Sequence, residues 1–278
     1  MKKTCFLAGL MVLAAVLLVL PVGAKAEMYV EGYLGGVMAG SDGHQFTHTT
    51  TNGIVSRSFS SSVNGVFDGP NVVGGLKLGT WFVKEGFLGA NYPDWMKYLG
   101  FYVDFSYHRL DYRRQEGTTQ VSTTELGVGS TVNHLFSEGS AATLAFMFAF
   151  RYGFFPDSEV PFGRLQPYLA VGPAILFSSQ QAKFGINSTN MSGGGVLFSR
   201  TWDGGSQSSV NIALAADAGI RYMALKNVSL DLFFKYRYAA PSYSYTVHDQ
   251  YVGFTGGTFS LSPTLNLFSL NLGAAYHF

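Results

Sequence analysis

Asp104, Ser106 and His108 stand two residues apart. A carboxylate, a hydroxyl and an imidazole are the parts of an acyl-transfer triad. Their spacing speaks against that chemistry. A period of two is strand spacing, and each two-residue step on a strand is about 7 Å, so Ser106 and His108 do not bond without distortion. All three are expected to fill an interior. His44 and His48 would share a metal at this spacing only on a helix. Their surroundings are rich in Thr and Ser, so no metal site is expected. Gly193-Gly194-Gly195 precedes no helical pattern and makes no phosphate cradle. No cofactor is expected.

A second set of groups is larger and more regular. Glu31, Lys77, Asp104, His108, Arg151, Asp217, Arg221, Asp231, Lys235 and Arg237 each fall in a segment that alternates apolar with small or polar residues. In each segment the charge lies on the polar parity. Successive strand residues point to opposite faces, so these side chains converge on one side of a sheet. The set holds four acids and five bases besides His108. Buried charge is costly unless paired, and a nearly balanced set can neutralise itself. The expectation is a lumen charge network acting as a plug. A narrow ion path is the competing reading.

Eight segments carry the alternation. They run from about Met28 to Met38, Val72 to Phe82, Leu99 to Asp111, Thr143 to Phe154, Gln166 to Phe177, Val210 to Tyr222, Val228 to Tyr238 and Asn266 to Phe278. The last is plain: Phe268, Leu270, Leu272, Ala274, Tyr276 and Phe278 face one way, and Ser269, Asn271, Gly273, Ala275 and His277 the other. Apolar-out, polar-in segments of about ten residues are the signature of a transmembrane β-barrel. The predicted fold is all-β, an antiparallel up-and-down barrel of eight strands. Open edges cannot face hydrocarbon, so the first strand must pair with the last. Thr123 to Phe136 and Gly194 to Arg200 alternate weakly, and counting both gives ten strands. Eight is preferred because neither has an aromatic-rich lipid face. Segments 41–71, 112–142, 178–209 and 239–264 then form long external loops, against shorter turns at 83–98, 155–165 and 223–227. A short interfacial helix is expected at Tyr92–Met96.

The chain begins Met1-Lys2-Lys3, followed by an apolar run from Cys5 to Leu20 and the small residues Ala24 and Ala26 around Lys25. This describes a secretory signal cleaved after Ala26. The run of about 16 residues falls short of the roughly 20 that a spanning helix needs. Cleavage removes Cys5, the only cysteine, and three lysines, so the formal charge of +1 becomes −2. No basic field remains to attract nucleic acid. The domain is expected to cover residues 27–278.

Three passages carry a family resemblance: Tyr29-Val30-Glu31-Gly32-Tyr33-Leu34-Gly35-Gly36, Gln166-Pro167-Tyr168-Leu169-Ala170-Val171-Gly172-Pro173, and the terminal Tyr276-His277-Phe278. With them the chain resembles the small outer-membrane β-barrels of the OmpA/OmpX-like group, over residues 27–278 and without a peptidoglycan-binding domain. The resemblance implies a Gram-negative outer membrane reached through the secretory route. It implies periplasmic chaperones, the insertion machinery, outer-membrane lipids and lipopolysaccharide as partners. Tyr276 and Phe278 would form the insertion signal. Some barrels of this size modify lipids, but the His-x-Ser-Asn pattern of the lipid A deacylases is not found.

The expected function is therefore non-enzymatic: envelope structure, or surface interaction of a monomer through its loops. The alternative is a narrow passage for ions or small hydrophobic solutes, and after that a lipid-modifying enzyme. Phe46, Phe59, Phe67, Phe184, Tyr243, Tyr245 and Phe254 are expected to be exposed on the loops, where an extracellular ligand would meet them.

Overall fold

The computed structural model describes residues 27–41, 44–52, 55–63, 69–83, 92–123, 127–190, 196–247 and 257–278. The signal segment with Ala24 and Ala26 lies outside the described residues, as do Gly193-Gly194-Gly195, Phe67 and Phe254.

Thirteen strands are described: β1 (Glu27–Ser41), β2 (His44–Asn52), β3 (Val55–Val63), β4 (Asn71–Trp81), β5 (Leu99–Arg109), β6 (Tyr112–Thr123), β7 (Gly127–Arg151), β8 (Leu165–Asn190), β9 (Val196–Leu225), β10 (Val228–Ala239), β11 (Tyr243–Val247), β12 (Gly257–Leu261) and β13 (Leu265–His277). Eight close a barrel in the order β5-β4-β1-β13-β10-β9-β8-β7, with β7 returning to β5. Every pairing is antiparallel, and β1 meets β13 along its whole length, from Tyr29↔His277 to Ser41↔Leu265. The barrel therefore has no open edge at the level of the alternating segments.

Alternation sets which side each residue faces. Ile212 is 86% exposed, whereas its neighbour Ala213 is 5% exposed. The same holds on every barrel strand. Leu34, Phe148, Leu169, Leu232 and Leu270 face out, and the charged and small residues face in. A water-soluble chain does not leave so continuous an apolar surface uncovered. Inside, Tyr33 lies across Gly75 and Tyr29 across Gly79, and a Cβ at either glycine would collide with the ring. The missing side chains make room for large inward rings.

The external segments differ from expectation. The described residues of segments 112–142 and 178–209 are strand, not loop, because β6 and the outer parts of β7, β8 and β9 form one ladder with local bulges. Segments 41–71 and 239–264 supply a second sheet, β11-β12-β2-β3. The described parts of the two weakly alternating segments, 127–136 and 196–200, extend hairpins and add no strand to the barrel. The physical reason is solvent. Beyond the apolar belt both faces can meet water, so Gln181, Ser206 and Ser208 are exposed where lower positions are Val or Ile. β-prone polar residues hold the ladder without an aromatic stripe. Between the two levels the second sheet is set off by Gly69-Pro70, Pro241 and Pro263, and proline supplies no ladder N–H.

At the other end β9 and β10 are joined by the two-residue turn Lys226–Asn227. A single 3-10 turn covers Asp94–Tyr98, two residues further on than expected. The turn between β7 and β8 is tied by Arg164, which meets Asp157 through its Nε and Glu159 through its Nη2, the latter at 2.8 Å. The Asp157 carboxylate also accepts from the Val160 N–H at 2.7 Å and the Glu159 N–H at 2.9 Å.

Candidate functional site: the charged lumen

Strand parity brings the inward charges together, and register stacks them in three tiers. Arg151 belongs to the tier nearest the short turns. It gives Nη1 and Nη2 to the two carboxylate oxygens of Glu27 at 2.6 and 2.5 Å. Its guanidinium lies between the rings of Trp81 and Phe162, 4.1 Å from each centroid. His277 stacks on Tyr29 at 5.5 Å and meets Ser229 Oγ through Nε2 at 3.0 Å.

The middle tier joins β1, β4, β9 and β10. Glu31 takes Lys77 Nζ on one oxygen at 2.9 Å and Arg221 Nη2 on the other at 2.8 Å. Arg221 also grips Asp231 with Nε at 2.9 Å and Nη2 at 2.7 Å. Such forked pairs fix direction as well as distance. Lys77 is further enclosed by the Phe233 ring, 3.2 Å from its centroid, and by Tyr168, whose hydroxyl accepts at 3.3 Å.

The third tier centres on Asp104. Lys235 Nζ lies at 2.5 Å, Arg237 Nη2 at 2.8 Å and the Tyr33 hydroxyl at 2.6 Å. Arg237 spans from Asp104 to Asp217, giving Nη1 to the latter at 2.6 Å. The Tyr102 hydroxyl donates to Asp217 at 2.7 Å. Lys235 also contacts the Tyr33 hydroxyl.

Two features of this set go beyond strand parity. Lys235 sits opposite Asp217 in register, yet its ion pair is with Asp104 across the lumen. A long lysine reaches past its nearest neighbour when a second base, Arg237, already holds that neighbour. Glu27 is the acid that the set of inward charges lacked. It shares the parity of Tyr29 and Glu31, so the signal was present. With it, five acids face five bases: Glu27, Glu31, Asp104, Asp217 and Asp231 against Lys77, Arg151, Arg221, Lys235 and Arg237. The inward bases are 5% exposed or less.

No triad forms among Asp104, Ser106 and His108. Asp104 is occupied by two bases and a tyrosine. His108 turns Nδ1 to the Arg109 carbonyl at 2.8 Å, while Nε2 is buried without a partner. Among the described residues, no hydrogen bond joins Ser106 to His108, and no cluster of three His, Cys, Asp or Glu is placed to hold a metal.

Above the charges the lumen turns apolar, with Val37, Val73, Ala145, Ala174, Ala215 and Leu267 all buried. A polar cap follows. Ser137 Oγ donates to Gln180 Oε1 at 2.7 Å, and Gln180 Nε2 to the Leu110 carbonyl at 2.9 Å. Tyr243 donates to Ser178 Oγ at 2.7 Å, and Tyr245 to the Gln180 carbonyl at 3.4 Å. Tyr243 and Tyr245 are thus buried, not offered to a ligand, because β11 turns them toward β8. The side chains of Phe46, Phe59 and Phe184 lie outside the described residues, as do those of His44 and His48. On the exterior, Tyr276 and Phe278 are exposed and meet edge to face at 5.2 Å. The Phe278 N–H closes on the Met28 carbonyl at 2.9 Å.

No family model and no curated protein matches this chain. Several solved structures are similar in shape. OprG of Pseudomonas aeruginosa is 10% identical, with 91% of this chain and 96% of that one covered at a TM-score of 0.45. Ail of Yersinia pestis, solved with the heparin analogue sucrose octasulfate, is 14% identical over 91% and 99%, at 0.38. Neisserial surface protein A is 15% identical over 90% and 97%, at 0.34. What stands independently of them is the architecture: a closed, eight-stranded antiparallel barrel with an apolar exterior and a paired, charged interior.

Proposed function

We propose that this chain is an integral outer-membrane barrel, non-enzymatic and closed to ions, that holds a β-sheet platform outside the cell. The observation that carries the reading is the balance of the lumen: five acids, four of them buried and Glu27 partly exposed, are met by five buried bases in three tiers. A pore needs free charge or water along its axis. Here each carboxylate spends its oxygens on guanidinium, ammonium or phenol groups. An isolated charge in so dry a place is prohibitive, while a satisfied network is tolerated. The same accounting disfavours catalysis, since Asp104 has no free role as an orienting base. The apolar belt of the exterior supports a bilayer, and a closed barrel is one of the two folds that can span one.

Potassium efflux from vesicles carrying the refolded protein tests the reading. Wild-type vesicles should retain potassium as well as protein-free vesicles do. Asp104→Ala, which strands Lys235 and leaves Arg237 with Asp217 alone, should leak. Rapid wild-type efflux would overturn the proposal.

A further inference from the structure

The second sheet, β11-β12-β2-β3, has two faces made of different residues. The side chains of β11 fix which face is which. Ser244 and Thr246 are exposed, while Tyr243 and Tyr245 are buried. On β12 Leu261 is buried and Ser260 is not. Residues directly opposed in an antiparallel ladder share a face, so register carries the assignment across the sheet. One row of the outer face is Ser244↔Ser260, continued by Thr47 and Ser60. The next is Thr246↔Thr258, continued by Thr49 and Ser58. On β2 and β3 the same face goes on to Thr51↔Ser56. The inner face holds the alternate positions, among them Leu261↔Phe46 and Tyr245↔Phe259.

Every position in both rows is Ser or Thr. An ordinary solvated surface mixes charges of both signs among its polar residues. This protein does so on the outer parts of β7, β8 and β9, where Glu138, Lys183 and Asp203 are exposed. The hydroxyl rows do not, and their composition decides what they can recognise. Without a base they offer no counter-charge to a phosphate, sulfate or carboxylate polymer. Without an aromatic or aliphatic residue they lack the apolar centre on which protein interfaces depend, a second copy of this chain included. What remains is a grid of hydroxyl residues, a group that both donates and accepts. Neighbouring positions are about 7 Å apart along a strand and about 4.8 Å apart across strands. Threonine is stiff at χ1, so ordering such a grid costs little.

We propose that the outer face of this sheet is a docking surface for an extracellular, uncharged polysaccharide, whose own hydroxyls recur along the chain and meet the grid as donors and acceptors. The inference rests on the reading that the barrel holds this sheet outside the cell. A neutral hydrogen bond exchanged for one to water contributes little by itself. Retention therefore comes from many weak contacts, repeated along a long polymer and over many copies on one cell. It is insensitive to salt, because no charge takes part.

The test is the retention of intact cells displaying the protein on beads coated with dextran or pullulan, both uncharged, and with dextran sulfate as the charged counterpart. Cells with the protein should be held several-fold better than cells without it on a neutral polymer, equally at low and high salt, and free polymer should release them. Thr246→Val combined with Thr258→Val and Thr49→Val keeps the branched shape and the strand preference but removes three adjacent hydroxyls. It should return retention to the level of cells without the protein, whereas Ser208→Ala on β9 should leave it unchanged. If the triple variant does not reach the surface, Thr246→Val alone decides, and it should lower retention. No retention on either neutral polymer, retention on dextran sulfate alone, or clumping of cells with one another in place of binding to beads overturns the docking surface. Protease added to the same cells separates the two readings. Cutting between β8 and β9 without retention defeats the polysaccharide surface only, whereas cutting confined to 83–98 defeats the placement of the sheet outside.

Discussion

At the scale of single residues, the lumen is a set of mutual obligations. Replacing Asp217 by Ala leaves Arg237 with one acid in place of two, and replacing Asp231 by Ala removes the forked partner of Arg221. Breaking a buried ion pair by removing one partner costs about 3–5 kcal/mol, whereas replacing both partners by apolar groups is often nearly neutral. Urea midpoints in lipid should therefore fall for Asp217→Ala and recover in part for Asp217→Ala combined with Arg237→Met. An unchanged midpoint in the single variant would mean that the contact contributes nothing. Outside the belt, Asp157 makes a gentler test. The Val160 N–H, first, and then Arg164 hold its carboxyl below the ordinary range. A depressed acid stabilises above its unfolded value of about 4 and loses that contribution as pH falls below it. Amide exchange at Glu159 and Val160 should speed up below about pH 4, and Asp157→Asn should abolish the pH dependence. The inward set itself follows from parity, which needs only a period of two. The partners do not, because a one-residue stagger between strands changes every pair. Glu27 is a different case: at the first position of β1, one residue before the alternating run from Met28, it stands outside the segment that sets parity.

At the scale of elements, the strands divide into a belt and an extension. Aromatic and aliphatic residues at every second position made the belt legible: each of the eight segments falls on one barrel strand, although β7, β8 and β9 run more than ten residues further at their outer ends. The extensions were legible only as weak alternation, because a strand with water on both sides has no reason to separate apolar from polar residues. The belt should be intolerant where the extension is not. Phe148→Arg and Phe234→Arg place a charge against hydrocarbon and should each cost about 2–4 kcal/mol in refolding free energy, while Ser208→Arg should cost almost nothing. Equal effects at the three sites would mean that the exterior of β7 and β10 does not face lipid.

At the scale of the whole molecule, an even number of strands puts both barrel ends of the chain on one side, with the short turns, and the long hairpins on the other. Protease added to intact cells should cut between β8 and β9 or within 41–71 and should spare 83–98. Cleavage confined to 83–98 would invert the orientation. The account as a whole depends on one physical statement, that the ten paired charges close the lumen to ions. Planar-bilayer recording of the purified, refolded protein measures this directly. The wild type should give no steady current above the bare membrane at moderate voltage, and Asp104→Ala should introduce one. Steady, ion-selective conductance in the wild type, unchanged by Asp104→Ala, would contradict the account and make the lumen a channel.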